Sequence, residues 1–144
     1  MLSLSQATGV LGSLTVPILA GRAKDQRGIV VALAVLELTG LAGLLVAPGT
    51  SIILWVSIIG FVLGGSFGLA LLFLVVRSKD AETAAELSGM AQSIGYLVAA
   101  TGPTLFGSLF DFTGSWTIPL LCLFMTTFVK LYVGIGAGSP ATVD

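Results

Sequence analysis

The chain has 144 residues, of which 56% are hydrophobic and only 9% are charged, and its net charge is −1. Because a soluble domain carries about 25% charged residues, this composition excludes an ordinary water-facing surface and predicts a membrane protein. The absence of a basic cluster argues against nucleic-acid binding. With no histidine and a single cysteine, the chain also lacks the residues for disulfides, zinc clusters or histidine-dependent catalysis. We therefore expect no enzyme, no metal site and no cofactor.

Five apolar segments are each long enough to cross the hydrocarbon layer, which takes about 20 residues. The predicted fold is thus an all-α, polytopic membrane helix bundle. The first segment lacks a basic n-region and a cleavage site, so we expect it to be a retained span. The links are short, which favours packing of sequence neighbours as antiparallel hairpins. The predicted spans are residues 2–21, 29–47, 51–76, 84–110 and 115–137.

The first link carries three of the six basic residues and the pattern G-x-x-x-D-x-x-G. We expect Gly21 to close one helix and Gly28 to let the chain turn into the next. Asp25 is placed to accept hydrogen bonds at a helix N-terminus. The pattern, with the flanking basic residue Arg27, resembles the cytoplasmic loop motif of the major facilitator superfamily. By this resemblance it is a conformational motif, whose acidic residue meets the opposite half of the transporter.

Basic residues predict the orientation of the bundle. They lie in the first and third links and are absent from the second and fourth, which places the first and third links in the cytoplasm. The N-terminus is then expected outside and the C-terminus inside, and the resemblance to the major facilitator superfamily implies a bacterial inner membrane. Lys130, near the end of the last span, would snorkel to the cytoplasmic side. In the third link, Asp80 is expected to begin the fourth helix.

The third span contains glycines at 60, 64, 65 and 68. Small residues four apart let helix backbones approach closely in a bilayer, which predicts a packing face. An alternative is that Gly64 and Gly65 permit bending during a transport cycle. A further alternative is a small membrane assembly protein that dimerises through this glycine-rich face.

An internal repeat appears when the chain is compared with itself at an offset of 86 residues. Nine of 23 positions match between Gln6–Gly28 and Gln92–Gly114, where chance gives about two. The offset contains three membrane passes, so the second copy crosses in the opposite direction. Inverted three-helix units build each half of a major facilitator transporter. The repeat extends the conformational motif to Pro17, Pro103, Gly107, Asp111 and Gly114.

The segment from Arg77 to Trp116 resembles the cyanate and nitroimidazole permease branch of the same superfamily. The resemblance implies that the five spans are helices 8–12 of a twelve-helix transporter, a partial C-terminal half lacking its N-terminal half. It implies alternating-access transport of a small organic anion or polar heterocycle, and a fragment that is inactive alone. The partners are then the lipid bilayer, a small-molecule substrate and, as one option, a proton.

The resemblance places helices one, three and four around the substrate path. Polar and aromatic side chains on these helices are the binding candidates, with hydrogen bonding to neighbouring helices as their alternative role. Glu37 lies deep in the second span, where a carboxylate is a candidate for proton coupling. Its alternative is a structural pair with Lys130. The cavity candidates are Gln92, Tyr96, Gln6, Thr15, Ser66 and Trp55.

Overall fold

The computed structural model describes residues 1–47, 49 and 51–139, and all five of its helices are long and apolar enough to cross a membrane. Parts of the predicted second link and of the C-terminal tail lie outside the described residues. The described residues contain no strand, which confirms the all-α membrane bundle. The helices are α1 (Leu2–Arg22), α2 (Arg27–Val46), α3 (Ile52–Arg77), α4 (Ala81–Thr113) and α5 (Thr117–Ala137).

The prediction for the two glycines of the first link is wrong. Gly21 lies inside the last turn of α1, and Gly28 is the second residue of α2. The chain reverses instead at residues 23–26, where Ala23 is extended and ends α1. Asp25 makes the expected contact, because its Oδ1 accepts a hydrogen bond from the Arg27 N–H at 3.0 Å. The turn therefore depends on an extended residue and a polar side chain rather than on glycine flexibility.

Helix α1 packs chiefly on α3, so the predicted α1–α2 hairpin is wrong at this point. Gly60 lies against Ser5, Gly64 against Gly9, and Gly68 against Ser13. Contacting positions rise together along both helices, which shows that α1 and α3 run parallel. The small residues let the backbones touch, and this close fit outweighs the short connection to α2. The glycine face of α3 is a packing face, as the first reading of the sequence predicted.

The remaining helices alternate in direction. Along α2 and α3, Gly40 lies against Ile59 and Gly43 against Trp55, so these helices are antiparallel. Along α2 and α5, Val30 lies against Gly134 and Glu37 pairs with Lys130, so these two are antiparallel as well. Helices α3 and α5 therefore run parallel, and α4 must return the chain from the end of one to the start of the other. It follows that α4 runs opposite to α1, the relation that the internal repeat predicts for its two copies. The core lies among α1, α2 and α3, around Val62.

Helix α4 is the longest, at 33 residues or about 50 Å, and Ala84 is its only buried residue. It begins as predicted, because the Asp80 side chain accepts a hydrogen bond from the Thr83 N–H at 2.8 Å. That bond lowers the pKa of Asp80 below its ordinary value, since it favours the ionised carboxylate. The helix ends at Gly114, whose φ of 63° lies in the left-handed region that suits glycine.

Candidate functional site

A groove between α3 and α4 brings together two of the sequence-predicted binding residues. Gln92 and Tyr96 line it from α4, opposite Phe67 and Leu71 of α3, around a cavity of about 330 Å³. Gln92 is half-buried, whereas Tyr96 is 64% exposed. Gln92 and Tyr96 lie four residues apart, so they share one side of α4. The groove is otherwise apolar, as is typical of small-molecule sites with a few orienting polar groups.

The polar groups of this groove are not used by the rest of the bundle. Neither the Gln92 amide nor the Tyr96 hydroxyl has a hydrogen-bond partner among the described residues. An amide or hydroxyl at membrane depth needs a partner, because leaving one unsatisfied costs several kcal/mol. Water or a bound solute in the groove would meet that need. These two side chains are therefore the best-placed candidates for solute contact.

Helix α1 carries two further candidates, Gln6 and Thr15, on different sides of the helix. Ser13 and Pro17 contact Gly68 of α3, and Gln6 lies on the same side of α1 because it precedes them by seven and eleven residues. Thr15 is nine residues from Gln6, which turns it to the opposite side of the helix. Its hydroxyl already donates to the Leu11 carbonyl at 2.7 Å. Gln6 thus lies on the side of α1 that packs on α3, and Thr15 does not.

Two other candidates lie away from the groove. Trp55 donates from Nε1 to the Ala47 carbonyl at 3.3 Å and covers Gly43, so it secures the connection between α2 and α3. Ser66 lines a separate cavity of about 250 Å³ bounded by α2, α3 and α5. The structure therefore distributes the six candidates over several surfaces instead of one site.

Glu37 forms an ion pair with Lys130, the structural alternative that the sequence offered. The pair joins α2 to α5, and the Glu37 side chain is 11% exposed while that of Lys130 is 40% exposed. An intramembrane carboxylate with a cationic partner avoids the cost of an isolated buried charge. The geometry accounts for Glu37 as a link between two helices, and proton coupling by this residue stays a prediction.

Sequence reasoning missed Gln26, which ties three helix ends together. Its Nε2 donates to the carbonyls of Ala20 and Ala23, and its Oε1 accepts from Arg77 Nη2 at 3.0 Å. Gln26 is only 8% exposed, so these bonds also satisfy a buried amide. Arg77 further lies over the Phe73 ring. The sequence shows only an uncharged amide inside a charged link. Its burial could not be read from the sequence.

The second copy of the motif is built differently from the first. Pro17 and Pro103 both lie inside helices, at matching positions of α1 and α4. Gly107 and Asp111 lie within α4, which continues two residues beyond Asp111. The Phe110 ring near the end of α4 stacks on the Trp116 ring across the following turn, with the ring centroids 4.7 Å apart. Gly114 has a left-handed backbone, whereas its repeat partner Gly28 is helical. The repeat therefore preserves the helices more closely than the links.

Five apolar helices, with the described basic residues of the first and third links at one end, define a multi-pass helical membrane protein. The chain is 48% identical over 139 residues to the uncharacterized transporter YycB of Bacillus subtilis, covering 96% of this chain and 35% of that protein. It is 39% identical over 135 residues to the 2-nitroimidazole transporter of Escherichia coli, covering 94% of this chain and 34% of that protein.

A third relative is the putative anionic 4-hydroxy-benzoate permease of Thauera aromatica, 41% identical over 85 residues, with 59% of this chain and 52% of that protein covered. The chain spans about a third of the length of the first two relatives. No family model matches it, and no solved structure matches it. The similarity thus extends over nearly the whole of this chain but over a limited part of each transporter.

Proposed function

We propose that these five helices form part of a transporter of small solutes. The observation that carries the proposal is the similarity to two bacterial transporters over 96% and 94% of the chain. The α3–α4 groove supports it, because Gln92 and Tyr96 present unused hydrogen-bonding groups on an apolar wall. The proposed solute is a small organic anion or polar heterocycle, in keeping with the names of the nitroimidazole and hydroxy-benzoate relatives.

The fuller proposal is a major facilitator transporter of the cyanate and nitroimidazole branch. In it, this chain supplies helices 8–12 of a C-terminal half, and an N-terminal half completes the substrate path. Rocking of one half against the other would expose the site alternately to each side of an inner membrane. The N-terminus would face outward, because the described basic residues of the first and third links lie at the opposite end of α1. Within this scheme, residues 1–144 alone transport nothing.

The alternative, an assembly protein that dimerises through the glycine face of α3, has less support. Gly60, Gly64 and Gly68 are already covered by α1, so that face is not open to a second copy. The position of α1 therefore favours the transporter over the assembly protein.

A chimeric transporter tests the proposal. The segment of the Escherichia coli 2-nitroimidazole transporter that matches this chain is replaced by this chain, and uptake of labelled 2-nitroimidazole is measured in cells. We expect saturable uptake, and we expect Gln92→Ala or Tyr96→Phe to raise KM about tenfold, since one hydrogen bond contributes about 1 kcal/mol or somewhat more. Tyr132→Phe is the matched control, because Tyr132 is 83% exposed on α5.

Two results would count against the proposal. A chimera that reaches the membrane at normal abundance but takes up nothing would reject the assignment to transport. A chimera that takes up 2-nitroimidazole with a KM unchanged by both groove substitutions would still support transport, but it would show that the groove is not part of the substrate path. Residues 1–144 in proteoliposomes serve as the third sample, for which we expect no saturable uptake.

A further inference from the structure

The cavity bounded by α2, α3 and α5 spans the depth of one leaflet of the bilayer. Its volume is about 250 Å³, and the described residues that line it are apolar except for Ser66 and Lys130. It begins beside Ala137, the last residue of α5, and it reaches Ser66. Ser66 lies eleven residues, or about 16 Å, before Arg77 at the end of α3. Half of a hydrocarbon layer about 30 Å thick is about 15 Å, so the cavity has the depth of a single leaflet.

The lining of this cavity favours an apolar occupant over water. Apolar cavities stay dry, because water inside them lacks hydrogen-bond partners. Lys130 does not alter this, since its ammonium group pairs with Glu37. Helix α2 packs on both α3 and α5, and the cavity is the gap that remains between those two helices. In a membrane, the apolar material that surrounds such a gap is the acyl chains of the lipids.

Two arginines continue the cavity walls toward the basic end of the bundle, where α1 and α3 end. Arg27 precedes Val30 and Ala34 by three and seven residues, so it lies on the cavity side of α2. Arg77 follows Phe73 by four residues, and its guanidinium lies 6.0 Å from the centre of the Phe73 ring. Arginine binds phosphate groups through paired N–H donors. An apolar cavity that ends at two cations has the charge pattern of a site for an anionic amphiphile.

We propose that this cavity holds an acyl chain of an acidic phospholipid, whose phosphate is bound by Arg27 and Arg77. Basic pockets between transmembrane helices bind acidic lipid head groups in the same way. The site differs from the α3–α4 groove, because no described residue of α4 lines it. Ala70 of α3 lines both cavities and lies between them. The lipid site therefore depends on the membrane location of the chain and not on the proposed solute.

A helix from outside residues 1–144 is the rival occupant, and the internal repeat directs such a helix elsewhere. Gly40 and Gly43 are residues of α2 that pack on α3. At the offset of 86 residues they correspond to Thr126 and Val129 of α5. A helix that packed on α5 as α3 packs on α2 would contact these two positions, and neither of them lines the cavity.

The test measures tryptophan fluorescence of residues 1–144 in vesicles whose lipids carry brominated acyl chains, because bromine quenches tryptophan at short range. The native tryptophans are removed by Trp55→Phe and Trp116→Phe, and Phe73→Trp places a reporter in the cavity wall while keeping an aromatic ring beneath Arg77. We expect brominated phosphatidylglycerol to quench this reporter in preference to brominated phosphatidylcholine. A Tyr132→Trp reporter should show no preference, because Tyr132 is 83% exposed on α5 and samples the bulk lipid.

A pair of charge variants tests the head-group contact. Arg27→Gln should lower the preference for phosphatidylglycerol about fivefold, which is the contribution of one cation near an acidic lipid surface. Arg27 is exposed, so we expect this variant to keep its helicity by circular dichroism. The matched control is Arg22→Gln, which removes the same charge at the same end of the bundle from α1, a helix that does not line the cavity. The control should leave the preference unchanged.

Three results would each overturn the proposal. The first is equal quenching of the Phe73→Trp reporter by the two lipids. The second is an equal loss of preference in the Arg22 and Arg27 variants, which would show a general attraction of acidic lipid to the basic end. The third is loss of quenching when the same reporter is the sole tryptophan of the chimeric transporter, which would show that another part of the transporter fills the cavity. None of these readouts depends on transport.

Discussion

Gly64 is the position at which the α1–α3 interface is most sensitive to one added methyl group. A Cβ atom at this position would lie 2.6 Å from the Cα of Gly9 and closer still to the Gly9 carbonyl. These are backbone atoms, so no side-chain rotation relieves the overlap. The helices must separate by at least about 1 Å to bring the Cβ to a normal carbon contact of about 3.5 Å with the Gly9 Cα, and by more to clear the carbonyl. Separation also weakens the neighbouring contacts of Gly60 and Gly68 with α1.

The magnitude follows from comparing Gly64→Ala with Gly89→Ala. Overpacking costs about 1–3 kcal/mol. Alanine in place of a helical glycine contributes about 1 kcal/mol in the opposite direction. Gly89 is exposed in α4, and a Cβ there meets nothing within 4 Å, so it shows the helix-propensity gain alone. We therefore expect the Gly64 variant to be less stable than the Gly89 variant by about 1–3 kcal/mol.

The measurement is reversible unfolding in mixed micelles, with increasing sodium dodecyl sulfate and helicity followed by circular dichroism. Gly12→Ala should behave like Gly64→Ala, because a Cβ at Gly12 would lie 2.9 Å from the Gly65 nitrogen and closer to the Phe61 carbonyl. Equal stability of the Gly64 and Gly89 variants would refute the reasoning, because it would mean that the α1 and α3 backbones are not in contact.

Two further predictions concern charged residues. Glu37→Gln should destabilise the bundle by about 1–3 kcal/mol, less than for a fully buried pair because Lys130 is 40% exposed. Adding Lys130→Met should recover most of this loss in the same unfolding assay. Additive losses in the double variant would show that the two residues do not interact. For Asp80, the hydrogen bond from Thr83 lowers the pKa in the folded state, so its contribution to stability is present above the ordinary aspartate value of about 3.9 and is lost as the pH falls through the folded-state pKa. Unfolding at pH 6 and pH 3 should therefore differ less for Asp80→Asn than for the unsubstituted chain, and an equal difference in both would contradict this role.

The links show where sequence reasoning succeeds and where it fails. Asp80 was expected to begin α4, and it does, because capping is a local contact within three residues. Gly21 and Gly28 were expected at a turn, and both are helical. A glycine permits an unusual backbone without requiring one, so its presence alone does not place the turn. Gln26 was overlooked, because its three bonds join helix ends that are up to 51 residues apart in sequence.

The sequence by itself determined the five helices and their alternating directions. A backbone in hydrocarbon must satisfy its own hydrogen bonds, so each apolar run of sufficient length becomes a helix, and short links make consecutive helices reverse. Only the tertiary structure decided which helices pack together. The preference of α1 for α3 over α2 depends on Gly9 fitting against Gly64, a match of surfaces between distant segments. The same holds for the groove, where only the packing of α4 beside α3 places Gln92 and Tyr96 opposite Phe67 and Leu71.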